Sequence, residues 1–378
     1  MITGILNSGF GHSVRFIALI ESLKTIKKIP TACLAPECMK KFLGENVSKH
    51  GCKIYNLNHM MHLVNDTKKY KNKFLSIKDK NAVQNLQRTS IAINDFITQT
   101  DWLTGLFKNK TVFCSLYHGE LDINKNDNEK SVLFKRTIIH TVNQYDIFFH
   151  INIQKPYKRP DLKCEYIPIP VISRRITKSK KEVKQLLGLS NDEKFILIHA
   201  GSAVMENVYK DLYEFYKAVN RLKTDYRIVI SSSLENNSFP FSNNIIKAPL
   251  FSNGIDLVNA SEMVISKPGM GILQDCIATR KPLFFLPGDF AERELKVKLL
   301  NEILSGNLPI IHTICPDSLK EAISCCLAMR HIYNEGYSKI PVNGADILAK
   351  SLLMLADIKK DKIKDHIHLL REFNPFMQ

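Results

Sequence analysis

The sequence has no apolar stretch long enough to cross a bilayer. Its longest runs, such as Lys281-Pro-Leu-Phe-Phe-Leu-Pro287, fall far short of the ~20 residues a spanning helix needs. It also lacks a cationic leader followed by a long apolar region. Met1-Ile-Thr-Gly-Ile-Leu6 turns directly into a Gly-rich segment, so no secretory signal is expected. Cys-x-x-Cys spacing is absent. The nine cysteines are scattered and odd in number, and the adjacent Cys325 and Cys326 are poorly placed to be two ligands of one metal. That pattern excludes a zinc site and a disulfide framework, and fits reduced thiols in a cytoplasmic protein. There is no Asp-x-Asp metal motif and no tandem repeat of solenoid period. No zinc-finger, RRM or KH signature occurs, so nucleic acid is not expected as a partner.

What is present describes a globular enzyme-sized chain. At 378 residues it has room for two domains of ~100–200 residues each. Its 44% apolar content fits full cores rather than disorder. The net charge of +16 is uneven: residues 1–170 hold 25 Lys+Arg against 14 Asp+Glu, and the remainder 28 against 23. Two readings of the basic N-terminal half stand. One is an anionic partner, such as a phosphorylated acceptor or an acidic membrane surface; the other is a Lys-rich solvated surface.

Short runs rich in Ile, Val and Phe alternate with longer amphipathic stretches, the βαβα pattern of a parallel sheet wrapped by helices. Strands are expected at Ile2–Leu6, Pro30–Ala35, Lys53–Leu57, Thr111–Leu116 and Ile147–Ile151. A second series is expected at Lys194–Ala200, Tyr226–Ser231, Asn244–Ala248, Met263–Ser266 and Pro282–Leu286. Helices are expected near 205–222, 253–260, 271–279, 290–303, 316–329 and 344–357. The Lys- and Asn-rich residues 63–82 read as an excursion or a surface helix, and 120–131 as a loop. The alternating prolines of Tyr166-Ile-Pro-Ile-Pro-Val171 hold the chain extended and suit an interdomain crossing. The expected fold is α/β, with two Rossmann-like domains of parallel sheets facing each other across a cleft. The domains are taken as 1–170 and 171–356, with a tail, 357–378, that packs back on the first.

Three motifs carry chemistry. Asn7-Ser-Gly-Phe-Gly-His-Ser-Val-Arg15 follows a strand and opens a helix over Val14–Leu23. Gly9 and Gly11 allow a tight turn and close approach of a ligand. The helix start welcomes anions and hydroxyls, and His12 at that mouth can serve as a general base near neutral pH. Ala200-Gly-Ser-Ala203 is a second small-residue turn suited to a phosphate, through Gly201 and Ser202. The third and longest runs from Ala260 to Pro287. There a strand ends at Ser266, Lys267-Pro-Gly-Met-Gly271 makes a turn, and a helix begins whose first turn can bind a diphosphate. Asp275, one turn further in, can accept hydrogen bonds from ribose hydroxyls.

The third motif resembles the nucleotide-sugar signature of GT-B glycosyltransferases, especially the MurG-like family that makes peptidoglycan lipid II. Those enzymes carry a strand, Arg/Lys-x-Gly-Ala-x-Thr, a Glu on the next helix, Gly-x-Pro and a strand ending in Pro. The likeness runs without gaps from Leu250 to Lys298. Lys267 and Gly269 match the turn, Met270, Gly271 and Ile272 continue it, and Asp275 stands in for the Glu. Pro282 and Pro287 match the framework. Leu250 and Phe251 fall where the family's loop meets the nucleobase. The first motif resembles the family's opening Gly-x-Gly-His-x-x-Arg, and Ala200-Gly-Ser202 its Gly-Gly-Ser turn. The family's Gln-Gln pair and Asn, which read the donor sugar, are missing around Glu294, Leu295 and Lys298. Asp289, Glu292 and Glu294 stand there, as sugar contacts or as solvated helix-start charges. The interdomain Asn-Pro-Val-Arg is matched only by Ile169-Pro-Val171, with Arg174 and Arg175 shortly after.

The resemblance implies an inverting, hexosyl-type transfer without a metal, in which helix starts and Lys or Arg stabilise the departing diphosphate. It implies a UDP- or dTDP-sugar as co-substrate, with no further cofactor. His12 would be the base, with Gly9, Gly11 and Arg15 on the acceptor side. His118, after the strand Thr111–Leu116, lies where a residue of the acceptor side would, although a histidine at a strand end is more often structural. The acceptor would be anionic or lipid-linked, met in the cytoplasm at the inner face of a membrane. Two rivals remain. One is a nucleotide-sugar hydrolase like that of the pseudaminic-acid pathway; the other is a non-catalytic GT-B scaffold.

Overall fold

A computed structural model describes residues 1–7, 9–62, 76–95, 106–123, 129–157, 160–199, 209–231, 239–288 and 291–378; at 77, 130, 291 and 292 it describes the backbone only. The chain divides into two compact units, Met1–Ile172 with Asn343–Gln378, and Ser173–Val342.

The first unit is built on a seven-stranded sheet. In chain order its strands are β1 (Ile2–Leu6), β2 (Thr31–Ala35), β3 (Lys53–Asn56), β4 (Ile91–Asp95), β5 (Val112–Tyr117), β6 (Ile147–Ile151) and β7 (Glu165–Ile169). All pairings are parallel, in the spatial order β3-β2-β1-β4-β5-β6-β7. β1, β2, β4 and β6 are buried throughout, as parallel strands covered on both faces must be. Strand order reverses between β1 and β4, so the carboxyl ends of these two strands flank a natural ligand crevice.

β4 and β7 add to the strands expected from sequence. β4 carries only three apolar residues, Ile91-Ala-Ile93, before the polar Asn94 and Asp95, and is too short a run to stand out. β7 is the segment whose prolines suggested a crossing. It lies at the sheet edge, where Pro168 can occupy a strand without costing a ladder hydrogen bond.

The C-terminal segment completes this unit. Gly344 donates its amide to the Val171 carbonyl, and a Cβ at Gly344 would collide with the carbonyl of Pro170. Helix Gly344–Ala356, placed above with the C-terminal domain, instead packs against helix Phe10–Ile26 through Leu348, Leu352 and Leu355. The final residues follow it. Lys360 pairs with Asp146 at 2.8 Å, Ile363 and Leu370 are buried, and Asn374 donates to the Pro168 carbonyl on the edge strand at 2.8 Å.

The second unit has a five-stranded parallel sheet of β8 (Phe195–His199), β9 (Arg227–Ile230), β10 (Ile245–Lys247), β11 (Met263–Ser266) and β12 (Leu283–Phe285), in the order β10-β9-β8-β11-β12. Here the reversal falls between β8 and β11. Helices cover it at Leu212–Asn220, Gly254–Ala260, Met270–Thr279, Ala291–Ile303 and Pro316–Ala328, close to expectation; Arg330–Ser338 was not anticipated. No helix among the described residues is long and apolar enough to cross a membrane.

Leu19 and Leu348 line one small void, with Leu6, Phe16, Ile93, Leu116, Arg15 and Asp95. Leu19→Ala and Leu348→Ala should each cost about 2–5 kcal/mol. Denaturant unfolding of the singles and the double should reveal a coupling of about 0.5–3 kcal/mol, whereas additivity within about 0.5 kcal/mol would show that the two leucines do not share a core.

Candidate active site

β1 delivers the chain into helix Phe10–Ile26 at the reversal point of the first sheet. Gly4 in β1 gives the room that the Phe16 ring occupies, and this packing seats the helix on its strand. Gly9 precedes the helix. Gly9 offers no side-chain cap, the first turn holds no acid, and the His12 amide donates to the Gly9 carbonyl at 3.1 Å. A Cβ at Gly9 would press on the Cδ2 edge of His12 at 2.9 Å, which explains a glycine here.

His12 and Arg15 are three residues apart and therefore share one helix face. Both meet Asp95, the last residue of β4, which lies opposite Leu6 in the β1–β4 register. Arg15 Nε donates to Asp95 Oδ2 at 2.9 Å and Arg15 Nη2 to Oδ1 at 2.9 Å, a bidentate clamp. His12 Nδ1 sits 2.8 Å from Oδ1. Burial alone would raise the Asp95 pKa. The guanidinium and His12, by charge and by hydrogen bonding, instead hold it well below the usual carboxylate range.

That fixes the imidazole's tautomer. An ionised carboxylate accepts only, so the Nδ1 hydrogen points at Asp95 and the neutral ring keeps its free lone pair on Nε2. Arg15 Nη2 also lies 3.0 Å from Nδ1, but a nitrogen bearing that hydrogen cannot accept from it. Arg15 and Asp95 are almost fully buried, whereas the His12 side chain is 18% exposed. The group can therefore present one basic nitrogen, held in place from behind. Asp95 lies outside the sequence motif that holds Gly9, Gly11, His12 and Arg15. His118 follows β5 and stacks on Tyr117 with ring centroids 5.5 Å apart.

In the second unit, β11 ends at Ser266, whose hydroxyl lies 2.6 Å from the His199 carbonyl on β8. Lys267 follows, largely buried, and Gly269 precedes helix Met270–Thr279. This helix too lacks a side-chain cap and an acid in its first turn. The side chains of Met270 and Ile272 are buried, so these two residues can offer a ligand only main-chain N–H groups; nothing stands within 4 Å of a Cβ at Gly271. Burial, then the Lys267 charge, pushes the His199 pKa down to about 4, which keeps this imidazole neutral beside the turn.

Asp275 lies on the same helix. Among the described residues, its side chain accepts one hydrogen bond, from Ser173 Oγ, which is long at 3.4 Å. Desolvation pushes its pKa up to about 7, against the weaker pull of Ser173 and of Arg174. Arg174 is buried and donates to the Ser252 carbonyl at 2.6 Å. Asn253 Nδ2 reaches the Arg175 carbonyl, and Asp256 accepts from both the amide and the hydroxyl of Thr177. The loop with Leu250 and Phe251 is thus tied to segment Ser173–Thr177 and so to Asp275. Ser173, Asn253 and Asp256 carried no sequence signal. Leu250 is 45% exposed.

Glu294 is exposed near the start of helix Ala291–Ile303, and its backbone abuts Gly288 so closely that no Cβ would fit there. Gly201, Ser202 and Asp289 lie outside the described residues, as does the side chain of Glu292. Among the described residues, no group of three or more His, Cys, Asp or Glu is placed to hold a metal ion.

No family model matches the chain. Over 189 residues it is 24% identical to the L-arabinokinase of Arabidopsis thaliana, a match covering 50% of this chain and 17% of that protein. The chain therefore spans about a sixth of this relative's length. Solved structures match far more broadly. A UDP-glucosyltransferase from Polygonum tinctorium aligns at a TM-score of 0.64 and 12% identity, over 95% of this chain and 98% of its own. Spinosyn forosaminyltransferase SpnP aligns at 0.58 and 10%, over 94% and 99%. MnaA of S. aureus, solved with UDP, aligns at 0.56 and 14%, over 98% and 96%. Likeness at such identity carries the fold, and the fold is GT-B.

Asp275 generates a pH prediction. Its folded pKa lies above the ordinary carboxylate value, so folding favours its protonated form. The stability it contributes is complete below about pH 4 and is lost as pH rises towards about 7. Asp275→Asn cannot ionise. The melting temperature of the unliganded variant should therefore gain on wild type between about pH 5 and pH 7.5. Parallel melting curves across that range would show that the Asp275 carboxyl titrates normally.

Proposed function

We propose that this GT-B chain is an inverting glycosyltransferase that moves a sugar from a UDP- or dTDP-sugar to an acceptor hydroxyl. The observation that carries this reading is the His12–Asp95–Arg15 group at the mouth of the first helix. His12 Nε2 takes the proton of the acceptor hydroxyl as its oxygen attacks the anomeric carbon. The bond to the nucleoside diphosphate breaks in the same displacement, and the sugar's configuration inverts. Asp95 and Arg15 are positioning residues: they hold the ring and its tautomer and touch no substrate.

The second unit holds the donor in this proposal. Main-chain amides of Met270, Gly271 and Ile272, with Lys267, Gly201 and Ser202, receive the diphosphate, whose charge grows as the bond breaks. Asp275 accepts from the ribose hydroxyls, Leu250 and Phe251 meet the base, and Glu292 and Glu294 face the sugar. These assignments need no metal. The first unit, with 31 Lys+Arg against 19 Asp+Glu, suits an anionic or lipid-linked acceptor at the cytoplasmic face of an acidic membrane.

His12→Ala should lower kcat by ~10²–10⁴-fold, with nucleotide affinity and melting temperature nearly unchanged. Asp95→Asn should also lower kcat, because the amide can accept the Nδ1 hydrogen only weakly and can instead donate to Nδ1 and reverse the tautomer. A folded, donor-binding His12→Ala enzyme within about threefold of wild-type turnover would remove His12 from the mechanism. The hydrolase is tested separately, by incubation with nucleotide-sugar alone. Slow nucleoside diphosphate release, accelerated by acceptor, supports transfer; rapid stoichiometric release of free sugar contradicts it.

A further inference from the structure

The amino ends of the strands in the second sheet gather positive charge away from the nucleotide turn. Lys194 immediately precedes β8, Glu262 immediately precedes β11, and Lys281 stands two residues before β12. Lys281 is half-buried, with Nζ 2.5 Å from the Ser261 carbonyl. Arg330 pairs with Glu262 at 2.7 Å. Lys180 lies close enough to Lys281 for side-chain contact, and Lys194 acts on Glu262 by charge. Arg330, Lys281 and Lys194 thus act on one carboxylate, and Lys180 acts on Lys281.

Nearby acids do not balance them. Glu182 is engaged by Ser179 in a capping box, and Glu193 lies 3.6 Å from Arg227. Burial and then the Lys180 charge push the Lys281 pKa down to about 8, the response of an ammonium crowded by its own sign.

We propose that this cluster is a second anion site, which binds a phosphate-class dianion between Lys180, Lys194, Lys281 and Arg330. It does not rest on the glycosyltransferase reading. It is also separate from the diphosphate turn: β11 lies between Glu262 and Lys267, about 16 Å of extended chain at ~3.3 Å per residue. A dianion relieves the mutual repulsion of the lysines, and the planar Arg330 can bind it while keeping Glu262. Free phosphate, pyrophosphate and phosphate monoesters share this chemistry.

The test is lysine footprinting of the full chain with an acetylating reagent near pH 8, read by mass spectrometry. Inorganic phosphate, pyrophosphate and glycerol phosphate are titrated against chloride at equal ionic strength, which distinguishes free anions from monoesters. Lys281 acetylation should slow saturably with at least one of them. The exposed pair Lys180→Ala/Lys194→Ala should move the midpoint up by about tenfold or more, while Lys267→Ala should leave it in place. Lys180→Gln alone provides a milder variant with a smaller shift in the same direction. No protection of Lys281 beyond chloride would overturn the proposal. So would an unchanged midpoint in the lysine variants, or loss of protection in Lys267→Ala.

Discussion

A buried carboxylate governs the first unit. Asp95 sits at the end of a central strand with apolar side chains behind it, and its charge is tolerable there only because Arg15 and His12 meet it. Removing Arg15, the charged and buried partner, would typically cost ~3–5 kcal/mol, because the Asp95 charge would stay buried. The three residues therefore act as one unit. They fasten helix Phe10–Ile26 to β4 across the reversal point, and the same contact aims the basic nitrogen of His12. Placement follows from register: Leu6 and Asp95 end adjacent parallel strands, so the helix that leaves β1 passes over the carboxylate.

The second unit treats its carboxylate in the opposite way. Among the described residues Asp275 accepts one long hydrogen bond, from Ser173, and desolvation raises its pKa to about 7. Asp95 is satisfied within the protein and is fixed, whereas Asp275 gains most from donors that a ligand brings. The Arg174–Ser252, Asn253–Arg175 and Thr177–Asp256 contacts hold the loop around Leu250 in place while leaving Asp275 weakly bonded.

Much of this was legible in the sequence, because local signals carried it. Buried parallel strands read as apolar runs, and β1, β6 and β11 fall where the runs predict. His12 and Arg15 share a motif with the turn that displays them. Asp95 was invisible because its partner Arg15 is 80 residues away in sequence and its strand has three apolar residues. One signal could have found it. An arginine on the buried face of a helix needs a carboxylate, and a strand-ending Asp beside β1 is where topology supplies one. Pro168 obscured β7 because proline argues against a strand everywhere except an edge. Helix Gly344–Ala356 went to the wrong half because the chain crosses back at Asn343–Gly344, where tertiary packing and not local sequence decides the path.

Asp95 holds His12 in the tautomer that leaves Nε2 free. Nitrogen-15 NMR of histidine-labelled protein reads this directly, with the His12 signals assigned by comparison with His12→Ala and recorded where the ring is neutral. The account predicts a protonated Nδ1 and an unprotonated Nε2 in the wild type, and a loss of that preference in Asp95→Asn. A wild-type ring protonated on Nε2, with Nδ1 bare against the carboxylate, would contradict it.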